Sequence, residues 1–126
     1  MKSFTDLSQS KALAKILPIE SADMWYHGHY SPWESERKYD NEPCPSHSMS
    51  PNWDKPCWSL AALLSVIPKH IKNYNVLRID IDENTFAIWY DEIGYGVNND
   101  LPNITMESAV DACYEMIIKL HEQKLL

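Results

Sequence analysis

The sequence predicts an α+β fold: an antiparallel sheet of two or three strands, built on a β-hairpin and packed against two or three helices, with a long irregular arm rich in proline and aromatic residues. Three observations lead there. In "NVLRIDIDENTFAIWYDE" apolar and polar residues alternate before a polar turn, and Phe86, Ile88 and Tyr90 repeat the two-residue period after it, the period of strands with one face buried. "CWSLAALLSVIP" and "ITMESAVDACYEMIIKLHEQKLL" carry apolar residues at helical spacing, and helices that flank strands rather than alternate with them favour two layers. Between these and the N-terminal helix, residues 19–57 keep no period, and Pro32, Pro43, Pro45 and Pro51 block a long ladder or helix there. The expected organisation is one domain, with a helix in 1–18, the arm in 19–57 and the core in 58–126; a chain of 126 residues buries a core without covalent staples.

Taken in order, "DLSQSKALAKILP" predicts a short amphipathic helix capped by Ser8, with Leu13, Ile16 and Leu17 as its apolar face and Pro18 as its stop. Ser59 caps the next helix, and Trp58 before it is placed to pack on Leu63. Leu60 to Ile67 is apolar on nearly every side, Pro68 ends the run, and Lys69, His70 and Lys72 put positive charge at the negative end of the dipole. In the hairpin, Leu77, Ile79 and Ile81 share the buried face with Phe86, Ile88 and Tyr90, and Arg78 is expected over the Trp89 ring. Gly94 and Gly96 allow a tight turn into a short third strand around Tyr95 to Asn98. The closing helix is expected to start at Thr105 and to cover the sheet with Ala109, Val110, Cys113, Ile117 and Leu120.

Composition narrows the function. The net charge of -7 repels phosphate backbones and anionic membranes. The N-terminus meets Asp6 before any apolar run develops, unlike a signal peptide, and Leu60 to Leu64 is too short to span a bilayer. Three widely separated cysteines, Cys44, Cys57 and Cys113, suit a reducing compartment, so the expected location is the cytoplasm. A helix–strand–strand–strand–helix order also occurs in double-stranded RNA binders. Such a binder needs lysines near the start of its closing helix, where this chain has Glu107 and Asp111, so nucleic acid is excluded.

"ESADMWY" and "PCWSLAALLSVIP" carry a resemblance. The chain resembles a group of small proteins from phages and mobile elements of gut bacteria, in which a short helix leads to a "SADM"-like stretch, a variable loop, a "CWSLAALL-x-x-x-P" helix, a hairpin and a closing amphipathic helix. The matching positions are Ser21 to Met24, Cys57 to Leu64 and Pro68. The resemblance implies a bacterial cytoplasmic accessory protein and brings no catalytic residues with it.

Two sets of residues are candidate sites. The first is a basic-partner surface of Asp80, Asp82, Glu83, Asp91 and Glu92, part of a run from Val76 to Glu115 in which Arg78 is the one strong base among nine carboxylates. The second is zinc: His27 and His29, two apart on an extended segment, with Cys44 and His47 as a C-x-x-H turn, would supply four N and S ligands. Zinc is the one cofactor the sequence suggests. Asp80, Asp82 and Asn84 begin like a calcium loop, but Thr85 stands where glycine is needed and strand residues follow, so this is a polar turn. Cys57 lies near a helix start without a third orienting residue, Cys113 falls on an apolar stripe, and three glycines leave no phosphate-cradling loop. The leading expectation is a non-catalytic interaction module with a basic protein partner, and a second copy at the sheet edge as a further partner. Structural zinc stands second and an enzyme of unknown type third. The rings of Trp25, Tyr26, Tyr30, Trp33, Tyr39 and Trp53 are expected to pin the arm to the core.

Overall fold

A computed structural model describes residues 2–29, 37–45, 49–50 and 53–126. Helix α1 (Leu7–Leu13) is followed by a 3-10 turn at Ile19–Ser21, strands β1 (Met24–Tyr26), β2 (Gly28–His29), β3 (Lys38–Tyr39) and β4 (Lys55–Cys57), and helix α2 (Leu60–Val66). Strands β5 (His70–Ile71), β6 (Asn75–Ile81), β7 (Phe86–Glu92), β8 (Gly96–Val97) and β9 (Ile104–Met106) then lead into helix α3 (Ala109–Glu122). The α+β class with antiparallel sheets is therefore as expected.

The main sheet runs β5-β6-β7-β8, and β9 pairs with the opposite end of the same edge of β7. The β6–β7 register joins Leu77 to Tyr90, Ile79 to Ile88 and Ile81 to Phe86 on one face, and Arg78 to Trp89 and Asp80 to Ala87 on the other. Cross-strand partners share a face, so the inner face is the one on which Phe86, Ile88 and Tyr90 are buried. Helix α3 packs against β7, β9 and α2. It buries Val110, Ala112, Cys113, Met116, Ile117 and Leu120, to which α1 and the turn after it add Leu13 and Leu17, and α2 adds Leu63 beside Trp58. Each larger aliphatic contributes about 1.5–3 kcal/mol by burial.

Strand β6 departs from expectation. Leu77 is half-buried, whereas Ile79 is 40% and Ile81 74% exposed. They lie on the inner face as the alternation requires, but α3 packs chiefly on β7 and β9. Among the described residues, β6 pairs along its outer side only with β5, at Val76 and Asn75. Past Leu77, no described strand pairs with that edge.

Several local expectations also shift. The cap of α1 is Asp6, not Ser8: its carboxylate accepts from the Gln9 amide (2.8 Å) and the Gln9 side chain accepts from the Asp6 amide (3.1 Å), a reciprocal box that Ser8 cannot form. The helix ends at Leu13, ahead of Pro18. The cap of α3 is Ser108, whose hydroxyl accepts from the Asp111 amide, because Thr105 is taken into β9 opposite Ala87. Ser59 caps α2 as expected, Lys69 Nζ donates to the Leu64 and Ile67 carbonyls at its C-terminal end, and Gly94 and Gly96 turn with φ of +87° and +81°.

Candidate functional site

The arm is more ordered than its prolines suggest. Strand β1 pairs with β4, setting Trp25 opposite Pro56, and β2 pairs with β3. Ladders of two or three residues tolerate proline where its missing N–H would face outward. Rings hold part of it: Tyr26 is buried with its hydroxyl donating to the Thr5 carbonyl (2.7 Å), Lys11 lies over Tyr39 and Arg37 over Trp53. Tyr30 and Trp33 lie outside the described residues. Polar groups do as much. The buried Asp54 carboxylate accepts from the Gly28 amide (3.2 Å), the Ser50 amide (3.0 Å) and His27 Nδ1 (3.0 Å). Desolvation works to raise its pKa, but these donors outweigh it and hold the carboxyl below its ordinary range. Gly28 is required for this approach, since a Cβ there would meet the Trp53 carbonyl oxygen at 1.7 Å. Asp54 carried no signal in the sequence, because two of its partners are backbone amides and the third, His27, lies 27 residues away.

The zinc candidates are partly assembled. His27 and His29 stand edge to face with ring centroids 4.9 Å apart. His27 donates to Asp54 through Nδ1, and His29 donates to Asp40 through Nε2 (2.5 Å). An ionised carboxylate only accepts, so one ring nitrogen of each imidazole stays outside these bonds. Cys44 is exposed and its backbone exchanges two hydrogen bonds with Trp25. His47 lies outside the described residues. Among the described residues no group of three or more His, Cys, Asp or Glu is placed to hold a metal ion.

The carboxylates expected to form one surface divide in two. Asp80, Asp82 and Glu83 are exposed at the end of the hairpin, where the turn closes through the Asp82 amide on the Thr85 carbonyl (2.9 Å) and the Glu83 amide on the Asp82 carboxylate (2.7 Å). Asp91 and Glu92 sit opposite Val76 and Asn75, about 20 Å down the strand from Asp82 at about 3.3 Å per residue. Asp91 accepts from Trp89 Nε1 (2.8 Å) and Arg78 Nε (3.3 Å). Arg78 is thus drawn to the carboxylate rather than over the Trp89 ring, a correction that follows from the stronger attraction of full charges. Glu92 falls on the inner face. Asp111, another of those nine carboxylates, is engaged too: it accepts from Lys2 Nζ (2.7 Å) and Gln9 Nε2 (2.8 Å), tying the N-terminal segment to α3.

Neither buried thiol is set up as a nucleophile. Cys57 and Cys113 are fully buried, and desolvation raises both pKa values, that of Cys113 to about 12. The Cys57 Sγ donates to the Thr5 carbonyl (3.4 Å), and Thr5 Oγ1 pairs with Ser10 Oγ (2.8 Å) and accepts from the Trp58 amide (3.1 Å), so this polar cluster is internally satisfied. A cleft of about 410 Å³ beside β5 is lined by polar side chains including Asn75, Asn98 and Glu92, but Asn75 is spent on the Ile71 carbonyl and on Asn98. No helix among the described residues is long and apolar enough to cross a membrane. No family model, curated protein or solved structure matches the chain.

Proposed function

We propose that this protein is a non-catalytic cytoplasmic accessory module that binds a basic protein partner through the carboxylates at the open end of its hairpin. The observation that carries this reading is that Asp80, Asp82 and Glu83 are all exposed there, while Arg78, the base nearest in sequence, is engaged by Asp91. Uncompensated exposed carboxylates steer cationic partners and speed their encounter, with an attraction that salt screens. The test is anisotropy of a fluorescent lysine-rich peptide at low salt. Wild type is expected to bind, with affinity falling as salt rises, and an Asp80→Asn, Asp82→Asn, Glu83→Gln triple variant is expected to bind at least tenfold more weakly. Equal affinity of the two proteins contradicts the proposal.

A second reading, structural zinc in the arm, is favoured by the adjacent imidazoles of His27 and His29 and their carboxylate partners, an arrangement that fixes ring orientation at metal sites. Metal analysis tests it: a bound equivalent of zinc lost in a His27→Ala, His29→Ala variant supports the site, and less than half an equivalent in wild type ends it.

A further inference from the structure

The open side of β6 has three features that act together. First, its backbone is unpaired in a defined pattern. The Leu77 amide points outward, to the Lys69 carbonyl (2.9 Å), and the Asp82 amide points inward, to the Thr85 carbonyl across the hairpin (2.9 Å). Successive amides alternate in direction along a strand, so the N–H and C=O groups of Ile79 and Ile81 face outward, where no described strand lies. Second, the side chains of those two residues form an exposed apolar step on the inner face. It continues into a cleft of about 280 Å³ lined in part by Leu60, Ile81, Phe86 and Ala109. Third, Asp80 and Asp82 fall on the opposite, outer face of the same four residues, both exposed.

Resting on the basic-partner reading above, we propose that β6 takes up an extended segment of the partner as an added strand along Ile79 to Ile81, and that this segment alternates apolar and basic residues. Strand addition satisfies the outward amides and carbonyls of Ile79 and Ile81. Directly opposed side chains approach within about 4.5–5.5 Å, so apolar residues of the segment lie against Ile79 and Ile81, one of them over the cleft. Its lysines or arginines fall on the other face beside Asp80 and Asp82. The alternation is dictated by the edge itself, because the two faces of β6 differ in chemistry residue by residue.

A second copy of this chain fits the edge poorly. The antiparallel register that uses both outward residues, Ile79 against Ile81, sets Asp80 of one copy against Asp80 of the other, and directly opposed like charges destabilise a sheet. The register that sets Arg78 against Asp80 brings Ile81 of one copy to Leu77 of the other, whose amide already donates to Lys69. A net charge of -7 on each copy adds to the repulsion.

The experiment compares two ten-residue peptides of lysine and valine, one strictly alternating and one with the same residues in two blocks, by titration and by amide hydrogen exchange on the full chain. The alternating peptide is expected to bind at least tenfold more tightly and to slow exchange at the Ile79 and Ile81 amides at least tenfold. Ile81→Pro removes one outward donor without touching the β6–β7 ladder, and it is expected to bring the alternating peptide down to the affinity of the block peptide. Asp80→Lys, an exposed change on the outer face, is expected to weaken the alternating peptide as well and serves should the proline variant fail to fold. Equal binding of the two peptides with no protection at Ile79 and Ile81 overturns strand addition while leaving the basic-partner reading in place. Binding of neither peptide overturns both. Protection of Ile79 and Ile81 that grows with protein concentration alone, together with a dimer in sedimentation, overturns the proposal in favour of a second copy.

Discussion

Strands β6 and β7 have the same length and a common register, yet they end in opposite circumstances. Ile88 is fully buried and Phe86 nearly so, while their direct partners Ile79 and Ile81 are 40% and 74% exposed. The cause lies outside either strand. Strand β7 has neighbours on both edges, β6 on one side and β8 with β9 on the other, and α3 lies across it; on the edge of β6 away from β7, the described residues place β5 at one end only. Alternation therefore states which face a residue takes, and the neighbours decide how far that face is covered.

The largest effects are expected on the covered strand. Ile117→Asp places a carboxylate in the fully buried layer beneath β7, where its burial is prohibitive; it is expected to abolish cooperative unfolding, and a variant that melts like wild type would refute the core. Ile88→Ala should cost about 2–5 kcal/mol in denaturant unfolding, the range of buried isoleucine truncations.

The arm gives an intermediate case. Asp54→Ala leaves the Gly28 and Ser50 amides without their carboxylate and should cost about 1–3 kcal/mol, read as faster proteolysis within residues 19–57. Its pH dependence follows from the sign of the shift. A carboxyl whose folded pKa lies below its unfolded one contributes stability that is complete above the unfolded value, about 3.9. That contribution is lost as pH falls through the folded value, so wild type and variant should converge below about pH 4.

The Lys2–Asp111 pair ties the N-terminal segment to α3. Burial opposes ionisation of both groups, yet their mutual attraction and hydrogen bonds prevail, raising the Lys2 pKa and lowering that of Asp111. Lys2→Ala should cost about 0.5–1 kcal/mol at pH 7. The difference should shrink below about pH 4, as Asp111 protonates, and again above about pH 10.4, as pH rises through the folded value of Lys2. The smallest effect belongs to the open side: Ile81→Ala should change stability by less than about 0.5 kcal/mol, the range of surface substitutions. A cost near that of Ile88→Ala would erase the distinction between the two strands.

What could be read from residues alone follows the range of the interactions. The hairpin, the cap at Ser59, the turn at Gly94 and Gly96 and the stripe of α3 depend on neighbours a few residues away, and all were legible. Strand β9 was missed because Ile104-Thr105-Met106 is too short to show a period, and its pairing with Phe86 to Ile88 spans the β8 turn. Thr105 consequently took the part of a cap that belongs to Ser108. The ladders of the arm were hidden for the same reason, since Trp25 finds Pro56 and Cys44 across long separations. At the hairpin, the alternation puts Asp80 and Asp82 on the wet face, where both are exposed. It could not reveal that Asp91 is occupied by Arg78 and Trp89, nor that Lys2 and Gln9, more than a hundred residues earlier, engage Asp111.

Amide hydrogen exchange resolved along β6 in the free protein reads out whether the outer side of this strand is open. With the inner side of this strand laddered to β7 and its outer side open, the Arg78 and Asp80 amides should be strongly protected and those of Ile79 and Ile81 should exchange orders of magnitude faster. Uniform protection across all four amides would mean that the outer side is already occupied. Uniform rapid exchange would mean that the hairpin itself is not formed.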